Sequence, residues 1–180
     1  IMDQNKKRLF NEEKNEYTFR SLNSILKSIE CAKKIFKNIN YDIIITDTNS
    51  KKKDLNVIKS ILSKYKINNK LIEINLDDYK NKIIGNYTSA KFANMANLFT
   101  SLELVKNESC DLVYFVEDDY IHAKDSLTEM LFTFEKFSTI FNNDIFLLPA
   151  DYPYLYSKND STKIFLGHQK HWRLVGESLV

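Results

Sequence analysis

Short runs of β-branched and aromatic residues alternate along this chain with stretches in which apolar residues recur every three or four positions. That alternation narrows the available folds more than any other feature. Residues 41–46 (YDIIIT) and 112–116 (LVYFV) have the length and composition of strands buried on both faces. The first runs into Asp47-Thr48-Asn49-Ser50, the second into Glu117-Asp118-Asp119. Residues 70–75 (KLIEIN) alternate as a half-buried strand would, 145–148 form a further apolar run ended by Pro149, and 163–166 a short one. Helical spacing links Leu22, Ile25, Leu26, Ile29, Ala32, Ile35 and Phe36, returns over 54–65 and 92–105, and follows Asp125 or Ser126, either of which can cap a helix. Strands alternating with helices predict an α/β fold, a mainly parallel sheet with helices on both faces, whose ligands bind beyond the carboxyl ends of the strands. Residues 1–20 are charged, with scattered apolar side chains, and read as an irregular lead-in; residues 76–90 read as a loop that lines a cleft. No repeat or break in composition divides the chain, so residues 1–180 are expected to form a single domain.

Charge excludes one class of partner. The formal net charge is only +2 and the lysines are spread along the sequence, which leaves no basic face for a nucleic-acid backbone. Cys31 and Cys110 are too few and too far from any histidine pair for a zinc site, and too sparse for a disulfide framework, so both are read as free thiols of a reducing compartment. No apolar run approaches the roughly 20 residues that span a bilayer, and the first residues lack the apolar segment of a signal peptide, so a cytoplasmic location is expected. With only three glycines, the chain has no glycine-rich phosphate loop, and no Gly-x-Ser-x-Gly elbow either.

The acidic run carries the chemistry. Three consecutive carboxylates repel one another, and a cation is the simplest physical reason to set them beyond an apolar strand. Hard ions such as Mg²⁺ or Mn²⁺ take one or two protein carboxylates and fill their remaining positions with diphosphate oxygens and water. The competing reading is a solvated acidic turn ahead of the next helix.

The stretch VYFVEDDY (residues 113–120) resembles the strand and acidic DxD-type motif of nucleotide-sugar-dependent glycosyltransferases with the GT-A fold. PADYPYLY and GHQKHWR resemble segments that follow this motif in a bacterial or viral subset of those enzymes. The resemblance implies a Rossmann-like nucleotide-binding half. It makes Asp119 the metal ligand, places Glu117 and Asp118 against ribose, sugar or metal-bound water, and gives the strand-end Asp47 a contact with the nucleotide. It also implies a nucleoside diphosphate sugar donor, a carbohydrate or other hydroxyl acceptor, and Mn²⁺ or Mg²⁺. No strong apolar run precedes Ser21, where such folds open with a strand, and the sequence stops soon after Arg173, where relatives continue. Against the family pattern the domain therefore reads as incomplete at its ends.

Beyond the acidic run, Asp151 ends a predicted strand, where a carboxylate can deprotonate an acceptor hydroxyl; an ordinary turn residue is the plainer reading. His168, His171, Trp172 and Arg173 gather two of three histidines and the only tryptophan within six positions. Trp172 can stack on a sugar, His171 can ligate the metal or hydrogen-bond a diphosphate of the substrate and Arg173 can grip phosphate with two donors, while an edge strand with the indole in the core accounts equally well for the cluster. The function expected from the sequence is metal-dependent sugar transfer. Nucleotidyl transfer, and a catalytically degenerate domain that binds a nucleotide or a partner, are the alternatives.

Overall fold

The computed structural model describes residues 12–107, 110–150 and 163–174. Its backbone falls into two compact units. One holds the described residues up to Leu26 together with those from Asn38 to Ile121, and the other holds Lys27–Lys37 and the described residues from His122 onward.

Helix α1 spans Lys14–Ile35 and begins eight residues before Leu22, the first residue of the apolar periodicity. The segment expected to be an irregular lead-in is thus helical from Lys14. Extending a nucleated helix by one residue adds one hydrogen bond for one fixed residue, so charged side chains need not be amphipathic to join it. Glu16 in the first turn and Lys33 and Lys34 in the last also oppose the helix dipole.

In the first unit, β1 (Asp42–Asp47) and β2 (Asn68–Glu73) pair in parallel, from Asp42 opposite Asn68 to Asp47 opposite Glu73. Helix α2 (Lys52–Leu62) makes the crossover that a parallel pair requires and buries Leu55, Ile58, Ile61 and Leu62. A 3₁₀ turn at Leu76–Tyr79 leads towards α3 (Ser89–Asn107). Segment 76–90, expected as a cleft-lining loop, instead contributes Tyr79 and Ile83 to an apolar cluster around Ala96. Tyr79 shares a hydrogen bond of 2.6 Å with Thr100, which satisfies its buried hydroxyl.

In the second unit, α4 (Ser126–Phe141) packs Phe137 against Phe165 of an antiparallel hairpin, β3 (Ile164–Leu166) and β4 (His171–Arg173). Asp125 is the N-cap of α4 but makes no capping bond with its side chain. The orphan N–H of Leu127 is satisfied by the fully buried Ser28 hydroxyl of α1, at 2.9 Å. Asn142 ends the helix in the left-handed conformation, φ 49°.

This architecture overturns the α/β expectation. Among the described residues, helices dominate, and the strands make only two two-stranded ladders, one parallel and one antiparallel, in place of a mainly parallel sheet covered on both faces. Residues 112–116, which read as a buried strand, and 145–148, which read as a further strand, belong to no ladder among the described residues. Leu112, Val113, Tyr114, Phe115 and Val116 are 38–51% exposed, and Phe146 is fully so. Local bonds complete a helix within its own segment, whereas a strand exists only where another edge accepts it; composition can express a need for burial without supplying that edge. Among the described residues, no helix is long and apolar enough to cross a membrane.

Candidate functional site

At the carboxyl end of β1 the chain turns through Thr48, Asn49 and Ser50. Asn49 takes φ 62°, a left-handed conformation that asparagine tolerates. Asp47 closes the turn on itself, since its carboxylate accepts hydrogen bonds from the Ser50 amide, at 3.1 Å, and from the Ser50 hydroxyl. Thr48 is buried and accepts from Asn97 of α3 at 2.9 Å, and the same Asn97 amide donates to the Ala93 carbonyl at 3.2 Å. The residue expected to touch a nucleotide therefore has a structural duty of its own.

Glu117, Asp118 and Asp119 are all exposed. Asp118 is held by the first turns of α1: its Oδ2 lies 3.3 Å from Lys14 Nζ and accepts from the Thr18 hydroxyl at 3.1 Å. Glu117 and Asp119 make no ion pair among the described residues. The three acids thus divide into one that already has a cation and two that do not. No group of three or more histidine, cysteine or acidic residues within the described part is arranged to hold a metal ion. Lys14 and Thr18 escape a reading of the sequence because the charged stretch they occupy has no periodicity.

His171, Trp172 and Arg173 form β4, with His171 exposed and the other two half-buried. Trp172 stands opposite Phe165 in the ladder, and its indole N–H donates to Oε1 of Glu129 at 3.0 Å. Glu129, on α4, is only 6% exposed and is the hub of this unit. Its Oε1 accepts from the amides of His168 at 3.1 Å and Lys170 at 3.2 Å, and from the Thr133 hydroxyl at 3.1 Å; Oε2 accepts from the Gln169 amide at 2.7 Å. Burial alone would raise the pKa of this carboxyl. The bonds from Trp172, Gln169, Thr133 and Lys170 favour the ionised form more strongly, so the pKa lies below the ordinary 4.5.

Lys136, two turns further along α4, adds a second tie, donating to the carbonyls of Leu166 at 2.7 Å and Gly167 at 3.2 Å. The ring of His168 stacks on Phe132, with centroids 4.3 Å apart. Trp172 thus sits half-buried in a two-stranded ladder, and its single donor is engaged by Glu129. Glu129 itself is silent in the sequence, where one acid on an amphipathic helix reads as solvent-facing. Its only signal is register, because Glu129, Thr133 and Phe137 fall four apart on one buried stripe.

Asp47 and the acidic run belong to the first unit, and His171, Trp172 and Arg173 to the second. Asp151, expected as a general base, lies outside the described residues. Half-buried His122 has its pKa lowered by burial, so the neutral ring is favoured. Comparison of the chain with protein-family models, with curated proteins and with solved structures finds no match to any of them.

Proposed function

We propose that this chain transfers a sugar from a nucleoside diphosphate donor to a hydroxyl acceptor with the help of Mg²⁺ or Mn²⁺. The observation that carries this reading is the division within the acidic run. Asp118 is neutralised by Lys14, while the exposed carboxylates of Glu117 and Asp119 have no cation among the described residues. Two hard oxygen donors match what such an ion takes from a protein when a diphosphate completes its shell. We assign Asp119 as the metal ligand and Glu117 to ribose, sugar or metal-bound water. When bound, the ion would stabilise the negative charge of the departing nucleoside diphosphate. Asp47 is assigned to the nucleotide. Trp172 is assigned to carbohydrate, His171 to the donor substrate, Arg173 to phosphate, and Asp151 to the acceptor hydroxyl as base. Cys31 and Cys110 are free thiols, which accords with a cytoplasmic setting.

Thermal unfolding with UDP-, GDP- and CDP-sugars, with and without Mn²⁺, tests the reading. The midpoint should rise only when metal and the correct donor are both present, and a donor at about a hundred times its Kd should add about 2.7 kcal/mol. Asp119→Asn should lose the metal-dependent part of the rise and keep the unliganded midpoint. A flat response across the panel would overturn the proposal. Release of pyrophosphate in place of a nucleoside diphosphate would assign nucleotidyl transfer.

A further inference from the structure

We propose that Glu129 is a positioning residue for the His171–Trp172–Arg173 strip: from α4 it holds the hairpin turn and the indole, and so fixes the face that the strip offers to a substrate, without touching that substrate itself. The assignment rests on the reading above only in giving the strip a substrate; the clamp stands on geometry alone.

The hairpin has three residues in each strand and pairs only with itself among the described residues. A two-stranded hairpin of this size is marginal in water. Something outside it must fix its place. Three successive turn amides, those of His168, Gln169 and Lys170, converge on the Glu129 carboxylate, as backbone donors do around a bound anion. Here the anion is covalently attached to α4. The same oxygen that accepts from two of these amides also accepts from the Trp172 indole, so one carboxylate sets both the turn and the rotation of the ring.

Thr133 links the parts further, donating to Oε1 while accepting from the His168 amide at 3.3 Å. Charge-assisted bonds to a buried carboxylate are stronger than neutral ones and more costly to leave unmade. A neutral amide in place of the acid cannot reproduce the arrangement. Its NH₂ would present donors to donors on one side. Lys136, by contrast, donates to the carbonyls of Leu166 and Gly167.

Trp172 is the only tryptophan, so its emission reports this strip and nothing else. The experiment compares emission and acrylamide quenching in the wild type, Glu129→Ala, Glu129→Gln and Lys136→Met, then adds acetate, which approximates the carboxylate removed by the alanine change. Both Glu129 variants should shift the emission to the red and increase quenching, and Lys136→Met should not. Acetate should return Glu129→Ala towards the wild-type spectrum and leave the wild type unchanged. The Mn²⁺-dependent midpoint shift with nucleotide sugar should fall in the Glu129 variants and recover with acetate.

If Glu129→Ala does not fold, the near-isosteric Glu129→Gln carries the comparison. Wild-type emission in both Glu129 variants would overturn the inference. A displaced indole with an undiminished donor response would reduce Glu129 to a structural clamp and would equally overturn the positioning role. Should the wild type give no donor response at all, sugar transfer fails as a reading, and emission with acetate rescue still decides whether Glu129 places the indole.

Discussion

Gly167, at the end of β3, has no room for a side chain. A Cβ there would stand 2.5 Å from Trp172 Nε1 and 2.6 Å from Glu129 Oε1, and would also press on the Thr133 hydroxyl. Gly167→Ala must therefore part the carboxylate from its donors, and we expect a loss of about 1–3 kcal/mol, readable in urea unfolding. The protonation of Glu129 acts at the same place. Because its native pKa is depressed, its contribution is complete above the ordinary glutamate range and is lost as pH falls through the lower native value. Trp172 emission followed from pH 7 down to about pH 2 should move to the red in the wild type, whereas Glu129→Gln should begin displaced and stay flat through the carboxylate range. At this scale the sequence is uneven. The acidic run is legible because three like charges demand a counter-charge. Glu129 is not, since what distinguishes it is a set of amides some forty residues away.

Helices were legible wherever their apolar stripe was. The buried positions Leu22, Leu26, Ile29 and Ala32 of α1, and Leu55, Ile58, Ile61 and Leu62 of α2, repeat the periodicity of the sequence. The start of α1 was not, because Lys14 to Arg20 is helical without being amphipathic. Strands fared worse. YDIIIT and KLIEIN find each other through α2, with β2 running from Asn68 to Glu73, but LVYFV has the better strand composition and no ladder. Pairing is a property of two segments, and single-segment composition is blind to it. The N-terminus of α4 shows the same limit, since its capping acceptor, Ser28, lies 99 residues away on α1. Ser28→Ala removes that acceptor from a buried site and should cost about 1–2 kcal/mol, measured by chemical denaturation, whereas Asp125→Ala should cost little because Asp125 makes no capping bond.

Across the whole molecule the apolar residues are only partly housed. Phe146, Leu148 and residues 112–116 lie exposed beside a net charge of +2, so little repulsion opposes association through them. Solubility should be lowest near the isoelectric point of about 8.4 and should improve on acidification towards pH 6, as turbidity at fixed concentration would record. The expected doubly covered sheet would have buried these same runs, which is why composition pointed so firmly towards it.

One pairing constrains this molecule in a different currency. Asp118 meets Thr18, 100 positions earlier, and Lys14 one helical turn before that. Substitutions at these places are not free of one another. A sequence that gave up the acid at 118 would leave the half-buried Lys14 without that partner, and one that gave up the lysine would add a bare negative charge to a run that already carries two. Related sequences should therefore change positions 14 and 118 together, and that covariation would mark the acidic run even where its own letters had drifted.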